Sequence, residues 1–339
     1  MNMKQRKQWM FAAILFCGIS HQVWAQGPNG SGTYYQAADG KKGAELKTAL
    51  CKVIYNREEG GSLDVAYKAL WTHFRTTDAR PNGKVWDMYS NKREMTFGDD
   101  QDKGSGNQEG QFYNREHSMP NSWFGGKVMP MYTDLFHMYP TDKVVNNKRS
   151  NFPFGETKGE KYKSANDFSK LGVCTVEGYS GTVFEPNDEY KGDFARTYFY
   201  MVTCYEEKLP DWYNNYSDSR PTLDGNTYPG LNDWQLKMLM RWAKQDPVSE
   251  KEVNRNNAVY EIQRNRNPFI DYPGLEDYIW GEKQNEAFSY QSVPTAIQSG
   301  DKTVDKPAVI YSPDGKRLAK KRRGVNIIRR KDGKVVKTL

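Results

Sequence analysis

Two short proline-bounded segments and the polar-faced helix that follows them constrain this chain more than any other feature. Phe112 to Pro120 reads F-Y-N-R-E-H-S-M-P, an aromatic start suited to a strand and a proline that stops it. Downstream, Leu135-Phe136-His137-Met138-Tyr139 offers a second strand, stopped by Pro140. Thr141 then suits an N-cap, with Asp142 in the first turn, for a helix from Lys143 to Ser150. Asp142, Asn146 and Arg149 recur at helical spacing and share one face. Such a face is not core. The spacing therefore predicts a strand-strand-helix unit whose helix turns a carboxylate, an amide and a guanidinium back over the first strand.

These residue types suit hydrolysis of a phosphodiester with one metal ion. Magnesium prefers hard oxygen ligands and keeps several waters, so the Glu116 carboxylate and the Asn146 amide oxygen are enough to anchor it; Mn2+ or Ca2+ are substitutes. Adjacent side chains on an extended strand point apart, which leaves His117 free to take a proton from the attacking water near neutral pH. The metal would neutralise the phosphate, and an arginine fork such as that of Arg149 would take its other oxygens. A lone histidine on a strand is usually structural, and His137, in an otherwise apolar strand, reads as structural or supporting. His73 has no companions. Arg115 fits phosphate or solvent equally and stays unassigned.

The run Asn114-Arg115-Glu116-His117-Ser118-Met119-Pro120-Asn121-Ser122-Trp123-Phe124-Gly125-Gly126, then Asp134-Leu135-Phe136-His137, then Val145-Asn146-Asn147-Lys148-Arg149-Ser150-Asn151, resembles the endonuclease I family of secreted or periplasmic nucleases of the ββα-metal (His-Me finger) type. Gly192-Asp193-Phe194-Ala195-Arg196 and Asn265-Arg266-Asn267-Pro268-Phe269-Ile270-Asp271 extend the resemblance over roughly residues 40 to 282. What the resemblance implies is cleavage of DNA, and of RNA as well, with little sequence preference and one magnesium ion. It makes His117 the general base, Glu116 and Asn146 the metal ligands, and Arg149 and Arg196 phosphate contacts. On its own, Arg196 would fit a carboxylate partner equally. Some members carry histidine where this chain has Phe136, so that position is expected to be structural.

The rest of the chain frames this site. Lys4, Arg6 and Lys7, an apolar run from Trp9 to Ile19 and the ending Val23-Trp24-Ala25 mark residues 1–25 as a cleaved export signal, too short to remain as a membrane span. Cys51, Cys174 and Cys204 then remain, an odd number without a C-x-x-C pair; neither a disulfide framework nor a zinc site follows, and a Cys174–Cys204 bond stays open. The formal charge is +7 for 339 residues, but the signal and the basic segment from 301 onward supply more than all of it. Residues between them are net negative, so any phosphate-binding surface there is local.

Helices are predicted over Gly43–Tyr55, Asp193–Tyr205, Asn232–Lys244 and Ser249–Gln263, the last with a Ser249–Glu252 capping box and closed by Asn267-Pro268. Ser90–Gly110 reads as a long exposed loop. The fold class expected is α+β: a mainly helical catalytic domain at 26–284 around the ββα-metal centre, a linker at 285–307, and a small β-rich module at 308–339 that resembles C-terminal sorting modules of exported bacterial proteins. The protein is expected to be a monomer outside the cytoplasm, extracellular or else periplasmic, with nucleic acid as its partner. A catalytically silent nucleic-acid or glycan binder, or a small-molecule phosphodiesterase, is the competing reading.

Overall fold

A helix that shows no residue to water lies at the centre of the catalytic region. α4 (Lys191–Cys204) is buried along its whole length, as its composition demands, since Phe194, Tyr198, Phe199, Met201 and Val202 leave no polar stripe for solvent. It packs against α1 (Gly43–Asn56) and α6 (Asp233–Gln245). α6 turns Trp234, Met238, Leu239 and Trp242 inward. The computed structural model describes residues 32–56, 65–104 and 106–292, with four short segments at 309–311, 317–318, 326–329 and 335–338. The export signal, most of the linker and the turns of the C-terminal module lie outside the described residues.

The predicted helices are found, with shifted ends. α7 (Glu250–Gln263) starts at the expected capping box: Ser249 accepts from the Glu252 backbone and Glu252 reaches back to the Ser249 N–H. Arg264, with φ of 59°, ends it. Asn267-Pro268 does not close that helix but opens the next, α8 (Pro268–Asp271), where Asn267 caps the Phe269 N–H and proline occupies a first-turn position that needs no donor. Earlier in the chain stand α2 (Leu70–Thr77), a three-stranded antiparallel sheet of β3 (Tyr162–Lys163), β4 (Lys170–Val173) and β5 (Thr182–Glu185), and α5 (Leu209–Asn215). The C-terminal strands β6 (Val309–Tyr311), β7 (Arg317–Leu318), β8 (Asn326–Arg329) and β9 (Val335–Thr338) pair in the order β7-β6-β8-β9.

The strand-strand-helix unit forms as β1 (Tyr113–His117), β2 (Met138–Asp142) and α3 (Lys143–Arg149), with β1 and β2 antiparallel and Glu116 opposite Tyr139. Three boundaries differ from expectation, the first being that β2 begins at Met138 and not at Leu135. Pro140 sits inside β2 instead of ending it, opposite Arg115; in a two-stranded sheet each strand is an edge, where a missing N–H is tolerated. The helix cap is Asp142, not Thr141: its Oδ1 accepts from Val144 and Val145 N–H at 2.8 and 3.0 Å. Residues 90–110 form no regular element, as predicted, but they are tied to the site rather than free. Gly110 N–H donates to Asp142 Oδ2 at 2.6 Å, and buried Ser90 donates to Glu109 at 2.6 Å. Cys51 and Cys174 are buried free thiols, and Cys204 is buried as well.

Candidate active site

Strand alternation divides β1 into two faces with different company. On one face Asn114 and Glu116 meet α3: Asn146 Nδ2 donates to Asn114 Oδ1 at 2.7 Å, and Arg149 Nη1 donates to Glu116 Oε1 at 2.6 Å. Three residues along the helix thus match two along the strand. On the other face Arg115 and His117 meet the rings of Tyr67 and Tyr132. The His117 ring stacks on Tyr132 at 5.0 Å and 22°, and Tyr132 stacks on Tyr67 at 4.5 Å and 22°.

The hydrogen bond of His117 settles its tautomer. Nε2 lies 2.9 Å from the carbonyl oxygen of Tyr132. A carbonyl only accepts, so Nε2 carries the proton and Nδ1 of the neutral ring carries the lone pair. Burial, with His137 5.5 Å away between ring centres, pushes the His117 pKa down to about 3. His137 is also buried; its Nε2 donates to the Met131 carbonyl at 2.5 Å, and burial lowers its pKa to about 4. Both rings are therefore neutral at physiological pH.

That depression carries a stability consequence. An unfolded histidine takes its proton near pH 6.5, while these folded ones resist it, so their contribution is complete above that pH and lost as pH falls. Each contributes about 1.4 kcal/mol per pH unit in this window, and urea unfolding is expected to show a steep loss of stability between about pH 6 and about pH 4. A His137→Phe variant should show a flatter dependence. Equal stability at both ends of that window would refute the burial account of these rings.

Glu116 is 4 % exposed. Its Oε1 accepts from both Arg149 and the Tyr89 hydroxyl, the latter at 2.8 Å, and burial raises its pKa against the pull of Arg149. Arg149 is itself fully buried and clamps the end of β1: Nη1 also donates to the His117 carbonyl at 2.8 Å and Nη2 to the Ser118 carbonyl at 2.5 Å, over the Phe154 ring at 4.9 Å. The expectation that Arg149 reaches for phosphate is thereby revised. Its guanidinium is spent inside the protein, because a dry cation must pair with a dry carboxylate.

Arg196 is not brought to this site. On α4 it forms a forked pair with Glu252, at 2.5 and 2.9 Å, and donates to the Asp246 carbonyl at 2.9 Å; it is 2 % exposed. Glu252 is the capping-box residue of α7, so one carboxylate caps one helix and neutralises the cation of another. Asp142, expected to converge with Asn146 and Arg149, instead caps its own helix. Phe136 packs on Tyr200 at 4.6 Å between centroids, the structural place expected of it.

Tyr89, Tyr132, Tyr67 and Asn114 are the site residues that sequence reasoning missed. Tyr132 acts through its carbonyl and its ring face, neither of which a motif marks. Asn114 stands inside the quoted run, two residues before Glu116, and the strand period places it on the same face; that signal was available.

A buried glutamate and a neutral histidine on adjacent positions of a ββα unit, with an amide-bearing helix across the strand, are an arrangement suited to a nucleic-acid hydrolase. The profile of the family described as Endonuclease I matches residues 42–274, and the chain belongs to that family. Among its relatives are proteins named extracellular ribonuclease, from Bacillus amyloliquefaciens, 36% identical over 73% of this chain and 78% of that one, and from Bacillus subtilis (strain 168), 34% identical over 73% and 78%. A protein named extracellular deoxyribonuclease, from Aeromonas hydrophila, is 27% identical over 42% of this chain and 50% of its own length. No helix among the described residues is long and apolar enough to cross a membrane.

Proposed function

We propose that the protein is an exported endonuclease that hydrolyses DNA and RNA with little sequence preference, using His117 as general base and one Mg2+ held by Glu116 and Asn146. The observation that carries this reading is the Tyr132 carbonyl bond, which leaves the unprotonated Nδ1 of His117 as the nitrogen that takes a proton. The names of the relatives support both polymers as substrates and an extracellular or periplasmic place of action.

The residues fit the cation. Asn146 uses Nδ2 on Asn114, which turns its carbonyl oxygen to other work. The Arg149 and Tyr89 donors to Glu116 both fall on Oε1, so neither side chain engages Oε2, and the His117 backbone N–H also acts on the carboxylate. One carboxylate oxygen and one amide oxygen, with waters, form the hard donor set that magnesium accepts; no group of three or more acidic, histidine or cysteine side chains placed to hold a metal ion is found among the described residues, and none is required. When bound, the ion supplies charge neutralisation at the scissile phosphate and at the leaving oxygen.

His117 Nδ1 takes one proton from water as the water oxygen bonds to phosphorus and the bridging phosphorus–oxygen bond breaks. The buried ring stands in the base form throughout the neutral range. Arg149 keeps Glu116 and the His117 backbone in register, and Tyr132 fixes the ring plane.

Incubating the protein with supercoiled plasmid and with structured RNA, in magnesium or in chelator, tests the reading. Both polymers should be cut in magnesium and neither in chelator. Retention of intact polymer on the protein in magnesium would turn the reading into that of a silent binding protein.

A further inference from the structure

Arg149 and Arg196 are both consumed by buried carboxylates, so the site lacks the cation that sequence reasoning supplied for the phosphate. Arg115 is placed differently. It shares a face of β1 with His117, two positions away, or about 7 Å along an extended strand. Its guanidinium lies 3.6 Å from the Tyr67 ring centre and 4.3 Å from that of Trp71. Nη1 donates to the Tyr67 carbonyl at 2.9 Å. Among the described residues no carboxylate forms an ion pair with it, Asp102 acting on it only through space, and it is half-buried, with one of its five N–H donors used in that bond.

We propose that Arg115 is the phosphate-binding arginine of this site, holding a backbone phosphate beside the one attacked from His117. The proposal rests on the nuclease reading above and adds its substrate contact. The two aromatic rings and the carbonyl hold the guanidinium in place, and such preorganisation lowers the ordering cost of a forked bond to phosphate. The stacked series Arg115–Tyr67–Tyr132–His117 fixes the distance from that cation to the base. It also answers the charge problem. In a region of net negative charge, phosphate recognition has to come from individual placed cations; on α3 Lys143 is already paired with Asp102 at 2.8 Å, while Lys148 stands exposed with its ammonium 5.7 Å from the Tyr162 ring.

The test measures binding of a labelled phosphorothioate-linked oligonucleotide, in duplex DNA and single-stranded RNA form, to the full-length protein, to Arg115→Ala and to Arg115→Lys over a range of salt concentration. Arg115→Ala should weaken binding about tenfold for both polymers and flatten the dependence of log affinity on log salt by about 0.9 for the duplex and about 0.7 for the single strand, one phosphate contact. Arg115→Lys should restore the slope, since a point charge suffices for counterion release. An unchanged slope in the alanine variant, or a lysine variant as weak as alanine, would overturn the proposal and leave Arg115 a packing residue. Cleavage of the unmodified oligonucleotide by the unsubstituted protein is run beside it. Failure of that arm alone counts against the nuclease reading, and failure of the slope change alone counts against Arg115.

Discussion

Arg149→Met is expected to destabilise the protein by about 3–5 kcal/mol, the cost of breaking a buried ion pair from one side. Methionine fills much of the volume, so the loss is electrostatic: Glu116 stays dry beside Tyr89 without its counter-charge, the His117 carbonyl loses its Arg149 donor, and the Ser118 carbonyl keeps only the Tyr198 hydroxyl. At roughly 2–4 °C per kcal/mol for a domain of this size, the melting temperature should fall by about 6–20 °C. Adding Glu116→Gln should recover a substantial part of that loss, because the two residues are coupled and the orphaned charge is then gone. Scanning calorimetry of the two single variants and the double variant decides it. A variant that melts with the parent but binds nucleic acid more weakly would return Arg149 to the phosphate.

His117→Ala should cut the rate of hydrolysis by about a hundredfold to ten thousandfold, the usual span for a general base. That is about 3–5 kcal/mol of barrier, at 1.36 kcal/mol per factor of ten. Binding of an uncleavable oligonucleotide should stay close to that of the parent, since the ring is 8 % exposed and offers little surface to a ligand. Exogenous imidazole should restore part of the rate if the missing element is a proton acceptor. Single-turnover cleavage with circular dichroism on the same samples gives the answer. A loss smaller than tenfold in folded protein would remove His117 from its role. The two variants would separate the roles proposed for neighbouring groups, Arg149 holding the architecture and His117 moving the proton.

The order and type of the elements were legible because they follow from local rules. The alternation of β1 placed Glu116 and His117 on opposite faces, and the three-residue spacing of Asn146 and Arg149 put both on the face of α3 that crosses the strand. The capping box of α7 was readable from Ser249 and Glu252 alone. Boundaries were less so. Pro140 was taken as a stop because the sequence does not tell that β2 has a single neighbour, and the cap moved from Thr141 to Asp142 because both residue types serve.

The partners of the arginines were not legible. A motif shows which residues stand near each other along the chain, and Arg149 with Glu116, like Arg196 with Glu252, joins positions far apart. Either guanidinium would have suited a phosphate if its surroundings were wet.

The sequence by itself determined the ββα unit, the pairing of an acid with a base at Glu116 and His117, and the amide opposite them, since these depend on periods of two and 3.6 residues and on side-chain chemistry. Tertiary structure decided which atoms are left for a substrate. Packing α3 and α4 into the core dried the cations of Arg149 and Arg196, and a buried charge without a partner costs several kcal/mol, so each took a carboxylate. The same packing brought the Tyr132 carbonyl to His117 Nε2 and so chose the nitrogen that keeps its lone pair.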